Sequence, residues 1–241
     1  MYYWNILGGG LIMLEPNNNL FSIQYLRKIL TKAISNNYLF VTMSEYLSIE
    51  NTSNHKFFML RLDLDLKPER LIPIINLMKD LELPLTIFIR VSGPYNFLWY
   101  PNYEAIEFAS KNKAEIGLHS NPTEWSKIIG NKTSEEVFSS ELDILRSKFN
   151  VDGFAPHRDM DYSFNSLPWL EENWDIFKEK YSLKYHAYET VFFEKFVYIN
   201  EGFKPHLTWR RDEPFDKIEQ NENIYMLLHP HWWHVKHPFE S

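Results

Sequence analysis

The nine residues Phe57-Phe58-Met59-Leu60-Arg61-Leu62-Asp63-Leu64-Asp65 constrain this chain more than any other stretch, because they carry two carboxylates to the end of a β-prone apolar run. A run of this kind reads as a buried strand, and a carboxylate taken into an interior costs several kcal/mol unless a partner or a metal ion compensates it. Side chains two apart on a strand point to the same side. Asp63 and Asp65 are therefore expected to project together while Leu60, Leu62 and Leu64 pack the other way. Like charges that close suggest a metal ligand beside a base. A salt-bridged structural pair or a solvated loop entry would use the same residues, and a bare D-x-D does not choose among these readings.

The 241 residues are expected to form one domain, 1–241, large enough to bury a substantial core. Hydrophobic residues at 44% and charged residues at 24% are ordinary for a soluble globular protein and exclude wholesale disorder. The 17% aromatic share is high; aromatic faces in a cleft suit stacking on sugar rings or bases, although most will serve as core. A net charge of −7 argues against a nucleic-acid partner, since such binding depends on Lys and Arg displacing phosphate counterions. No cysteine is present, so any metal must be held by His, Asp or Glu. The apolar run Ile6 to Leu14 lacks the flanks of a secretory signal, and no stretch reaches the ~18 apolar residues of a membrane span. The expected address is the cytoplasm.

Apolar positions Ile23, Leu26, Leu30 and Ile34 predict a helix within 20–36, followed by a short strand over Tyr38–Thr42 and a short helix capped by Ser44. After the Phe57–Asp65 strand, Pro68 can open a helix whose apolar face runs through Leu71, Ile74, Ile75, Met78 and Leu81. Leu85–Val91 then reads as a strand covered on both faces, Asn102–Lys111 as a helix and Ala114–Leu118 as the next strand. Fainter signals follow: a helix over Ser134–Phe149, a short strand at Gly153–Pro156 and a final strand at Ile224–Leu228. This β-α-β order implies parallel strands with helical crossovers, an α/β fold in the form of a distorted or incomplete (β/α) barrel.

Such barrels gather their chemistry where the strands end. Asp63 and Asp65 follow one predicted strand, His119 another, His157 and Arg158 a third, and His229 the last. That convergence outweighs any single motif, since a lone histidine is more often a hydrogen-bonded or surface residue than a ligand. His231, His234 and His237 read as surface residues, and His55, His186 and His206 lack comparable context.

Four ordered segments, Arg61-Leu62-Asp63-Leu64-Asp65, Glu115-Ile116-Gly117-Leu118-His119, Pro156-His157-Arg158 and Leu227-Leu228-His229-Pro230-His231-Trp232-Trp233, resemble the motifs of polysaccharide deacetylases, in the divergent branch associated with glycan biosynthesis. The resemblance spans residues 38–233. It implies one divalent metal ion, usually zinc, and removal of acetyl groups from an N-acetylated sugar. By motif order it implies Asp63 as general base, Asp65 and His119 as metal ligands, His229 as general acid and Arg158 as the arginine that holds the base. The family's second histidine, four residues after the first, is replaced here by Thr123, with Glu124 beside it. His157 is then the expected third ligand and Glu124 its substitute. The roles of Asp63 and Asp65 could be exchanged, because the family's adjacent pair is spread into Asp-Leu-Asp.

Amide hydrolysis explains why these residue types belong together. A divalent ion on three protein ligands lowers the pKa of a water to ~7, a carboxylate takes its proton, and a histidine protonates the leaving amine. Two other readings share part of the pattern. A glycosyltransferase could use Asp63-x-Asp65 to hold a metal against a sugar-nucleotide diphosphate, leaving the histidines incidental. A non-catalytic glycan-binding relative would account for the missing second histidine.

Overall fold

A computed structural model of the protein describes residues 3–7, 10–14, 21–52, 54–157, 166–201 and 209–235. The chain begins with an antiparallel hairpin, β1 (Tyr3–Leu7) and β2 (Gly10–Leu14). There follow α1 (Ile23–Ser35), β3 (Tyr38–Val41), α2 (Met43–Leu47), β4 (Lys56–Leu64), α3 (Leu71–Asp80), β5 (Leu85–Arg90), α4 (Tyr100–Lys111) and β6 (Ala114–Ser120). The second half comprises α5 (Pro122–Ile129), α6 (Ser134–Arg146), β7 (Val151–Pro156), α7 (Ser166–Lys180), β8 (Tyr185–His186), α8 (Thr190–Lys195), β9 (Val197–Asn200), α9 (Pro214–Glu219) and β10 (Ile224–Leu228).

Strands β3 to β10 make one sheet in which every pairing is parallel. Its continuous path runs β8-β7-β6-β5-β4-β10-β9 and curls into a half-barrel, the distorted and incomplete barrel expected from the order of elements. β3 lies beside Lys56–Met59 and β5 beside Arg61–Leu64, so the two share one edge of β4 while β10 runs along the other. Among the described residues no helix is long and apolar enough to cross a membrane.

Alternation along β4 divides the core in two, as the residue parity predicts. Phe58, Leu60, Leu62 and Leu64 face outward into a large apolar layer shared with Leu26, Leu30, Ile74 and Met78 of the helices. Phe57 and Met59 face the barrel interior, where Phe88, Tyr185, Phe192 and Tyr225 complete a second cluster. The interior is crowded enough to need glycines. A Cβ on Gly117 would come within 2.5 Å of the Phe88 ring, and one on Gly153 would overlap the Tyr185 ring. These two glycines are register partners on β6 and β7, so their bare backbones admit the aromatic floor beneath the strand ends.

Local details differ from expectation in places. Thr42, not Ser44, caps α2, in a reciprocal capping box with Glu45. Pro68–Arg70 forms a single 3₁₀ turn before α3, because the chain leaves β4 through Lys67 in the left-handed region at φ 54°. β1, β2, α5, α7, α8, β8, β9 and α9 are elements that the sequence reading did not foresee.

Candidate metal centre

Asp65, His119 and His157 leave the ends of β4, β6 and β7 and converge, with one ligand-type atom from each lying within 4.8 Å of the others. Asp65 Oδ1 is 3.3 Å from His119 Nε2 and 3.4 Å from His157 Nε2. That oxygen is buried and makes no hydrogen bond. His119 Nδ1 lies 2.8 Å from the Ala155 carbonyl, which only accepts, so Nδ1 carries a proton and fixes the ring with Nε2 turned to Asp65. His157 Nε2 also lies 3.4 Å from Arg90 Nη1, a contact it would give up on binding a cation. A carboxylate oxygen and two imidazole nitrogens thus gather in a sheltered place, a donor set that could hold a metal ion. Burial pushes the Asp65 carboxyl up, but the imidazoles of His119, His157 and His229 outweigh it and hold the group well below the ordinary carboxylate range.

The chain turns sharply to bring Asp65 here. Its backbone N–H donates to the Asp63 carbonyl at 3.1 Å, ending the strand as soon as Asp63 has been placed. Both carboxylates still reach the same imidazole, with Asp63 Oδ2 at 3.4 Å from His119 Nε2. Their surroundings nevertheless differ. Arg61 Nε donates to Asp63 Oδ1 and Arg61 Nη2 to Asp63 Oδ2, both at 2.7 Å. Arg61 also donates to Tyr225 Oη at 2.9 Å and lies over the rings of Phe88 and Tyr188. Burial alone would raise the Asp63 pKa, yet Arg61, with His119 and His229 behind it, lowers it, so the carboxylate is held ionised.

His229, just past β10, approaches from the opposite side with Nε2 3.6 Å from Asp65 Oδ2. Its Nδ1 meets Glu201 Oε2 at 3.1 Å, while Glu201 Oε1 accepts from the His229 backbone N–H and from Trp233 Nε1, each at 2.8 Å. Burial disfavours charge on His229, but Glu201, then Asp65 and Asp63, raise its pKa from 6.5 to about 9. Side-chain exposure rises from 0% at Arg61 and 3% at His119 to 13% at His157 and 19% at Asp65 and His229, so the site opens at the strand ends.

The sequence motifs thus bring Asp63, Asp65, His119, His157 and His229 together. Glu124, the substitute ligand, is turned instead to the N-terminus of α5, where its carboxylate accepts from Asn121 Nδ2 at 3.0 Å. Thr123 hydrogen-bonds Asn121 Oδ1 at 3.0 Å and Ser166 Oγ at 2.9 Å, so position 123 carries a hydroxyl network and no ligand. Arg158 lies outside the described residues, as do His206 and His237. Among the described ones, the arginine at Asp63 is Arg61. His231 and His234 are half-buried rather than superficial, because the 3₁₀ turn Pro230–Trp232 folds this segment back: the His231 ring packs on Trp232 at 5.3 Å and His234 Nδ1 lies 3.5 Å from Arg70. His55 is exposed, and His186 is buried edge-on to Trp174.

Arg61, Glu201 and Arg90 were missed. Arg61 sits two residues before Asp63 and so on its face, a signal present in the run itself. Arg90 ends β5, a strand legible in the sequence, where the strand-end rule would have found it, whereas Glu201 follows β9, which the sequence did not disclose. The chain matches no protein-family model, and no curated protein is significantly similar to it.

Proposed function

We propose that the protein is a metal-dependent deacetylase of N-acetylated sugars, a divergent relative of the polysaccharide deacetylases. One observation carries this reading: the buried Asp65 Oδ1, without a hydrogen bond, faces the Nε2 atoms of His119 and His157. Asp65, His119 and His157 would hold one divalent ion, and a carboxylate with two imidazoles suits zinc. When bound, such an ion lowers the pKa of water to about 7 and polarises an amide carbonyl.

The remaining groups divide the proton transfers between them. Asp63, ionised and held by Arg61, takes the proton of the attacking water at Oδ2, the oxygen nearer His119. His229, charged and held at Nδ1 by Glu201, delivers its Nε2 proton to the leaving nitrogen. The C–N bond then breaks with a neutral amine as leaving group, and the acetyl group departs as acetate.

The glycosyltransferase reading requires both carboxylates of Asp63-x-Asp65 to face a cation. The grip of Arg61 on both oxygens of Asp63 weighs against it. A net charge of −7 supports a partner other than nucleic acid, and the cysteine-free composition supports a cytoplasmic address. The test is acetate release from a panel of N-acetylhexosamine substrates with zinc, cobalt or manganese added. Asp63→Asn should lower turnover by about 10²–10⁴-fold with metal binding intact. Absence of acetate release across the panel, with no metal retained by elemental analysis, would remove the hydrolase reading.

A further inference from the structure

The face that α6 turns inward consists of Val137, Phe138, Glu141, Leu142 and Leu145, a helical stripe that is apolar except for Glu141. Glu141 is only 4% exposed. A leucine would pack at such a position, whereas a carboxylate must be stripped of water to reach it, so its presence marks a demand other than core packing. Burial raises the Glu141 pKa, and Ser120, Ser92 and Arg90 pull it back through hydrogen bonding and charge. These three partners stand at the ends of β5 and β6, the strands that lead to the metal centre.

Ser120 is the link between Glu141 and the two imidazoles. It is the last residue of β6 and follows His119, so its side chain points to the opposite face, towards α6, where its hydroxyl donates to Glu141 Oε2. Its carbonyl accepts from the His157 backbone N–H at 2.7 Å. Ser120 is thus bonded covalently to one histidine and by hydrogen bond to the other, and Glu141 fastens it to the helix layer. The chain leaves the strand at once, through Asn121, the N-cap of α5, so no strand residue beyond Ser120 shares that task. The charge of Glu141 also acts on Arg90, the register partner of His119, whose Nη1 lies 3.4 Å from His157 Nε2.

We infer that Glu141 is a positioning residue of the metal centre: from the helix layer, through Ser120, it sets the spacing of the His119 and His157 imidazoles. It acts through the strand end and not as a ligand. The inference rests on the metal-binding reading of Asp65, His119 and His157 but not on the choice of substrate, and metal binding tests it without any turnover.

Zinc affinity of the chelator-stripped protein would be measured by competition with a chromophoric chelator, and coordination geometry by the visible absorption bands of the cobalt(II)-loaded protein. Glu141→Gln keeps an acceptor for the Ser120 hydroxyl and should retain wild-type affinity and bands. Glu141→Leu should weaken zinc about tenfold and shift the cobalt bands. That variant also leaves the Ser120 hydroxyl buried without a partner, which lowers the Tm by itself. Adding Ser120→Ala removes the stranded hydroxyl, so the double variant should recover the Tm while zinc stays about tenfold weaker. Ser120→Ala alone cuts the same link from the strand side and should weaken zinc to the same extent, so that the two changes together cost no more than either. Wild-type affinity and cobalt bands in the double variant would overturn the inference and leave the metal centre standing, because stability alone would then account for Glu141→Leu. Equal loss of affinity in Glu141→Gln and Glu141→Leu would also overturn it, since the charge and not the link to Ser120 would be responsible. Absence of zinc and cobalt binding by the wild-type protein would remove the metal-centre reading and the inference with it.

Discussion

Arg61 and Asp63, two residues apart on β4, close a two-pronged ion pair in which both contacts measure 2.7 Å and both side chains are almost wholly withdrawn from water. The pair is local in sequence, so any arrangement that buries this strand carries the charge and its compensation in together. That resolves the physical problem posed by a carboxylate at the end of an apolar run. It also separates the two aspartates: Asp63 is neutralised by its own strand, while Asp65 retains a buried oxygen for something else.

Removing one partner should be far worse than removing both. Arg61→Met leaves Asp63 buried without its counter-charge and is expected to destabilise the protein by about 3–5 kcal/mol in chemical denaturation. The double variant Arg61→Met, Asp63→Leu should regain most of that loss while remaining inactive. A double variant no more stable than the single one would show that the isolated charge is not the cause.

Metal binding should be visible without any substrate. A ligand present at about 100 times its Kd stabilises the folded state by about 2.7 kcal/mol, so zinc should raise the Tm of chelator-stripped protein. Asp65→Asn, His119→Ala and His157→Ala should abolish that shift, whereas Glu124→Gln should keep it in full because Glu124 is engaged with Asn121. A lost shift in Glu124→Gln would return that residue to the ligand set.

How far the sequence disclosed this arrangement depended on element length. β4 has nine residues, long enough for parity to show which side chains face the interior, and the outward packing of Leu60, Leu62 and Leu64 follows from that alone. β8 has two residues and β9 four, too few for any period to emerge, so Glu201 was hidden with the strand that ends at it. The different surroundings of Asp63 and Asp65 were also illegible, and the motif order left the two free to exchange. Those surroundings depend on a bend after Asp63 and on Lys67 adopting a left-handed conformation that carries no glycine signal.

The glycine of the Glu115-Ile116-Gly117-Leu118-His119 segment and its partner Gly153 set the height of the aromatic floor. Gly153→Ala would drive a methyl group into the Tyr185 ring and is expected to cost about 1–3 kcal/mol by overpacking. Since Ala155, two residues further along β7, accepts from His119 Nδ1, the strand shift should also weaken zinc binding. Adding Tyr185→Leu should restore both stability and zinc affinity. Failure of that rescue would place the strain elsewhere.

Glu201 sets the charge of His229, and the sign of the resulting pH dependence follows. The folded pKa of about 9 lies above the ordinary 6.5, so between these values the folded protein binds a proton that the unfolded chain does not. The stability it contributes is fully present below about pH 6.5 and is lost as the pH rises through about 9. The Tm of metal-free protein should therefore fall across that window. Glu201→Gln keeps an acceptor for the backbone N–H and for Trp233 Nε1 but removes the charge that outweighs burial, so the His229 pKa should drop and the slope flatten. In the same variant turnover should decline, since a neutral imidazole at working pH has no proton for the leaving amine. An unchanged slope in Glu201→Gln would assign the titrating proton to a group other than His229.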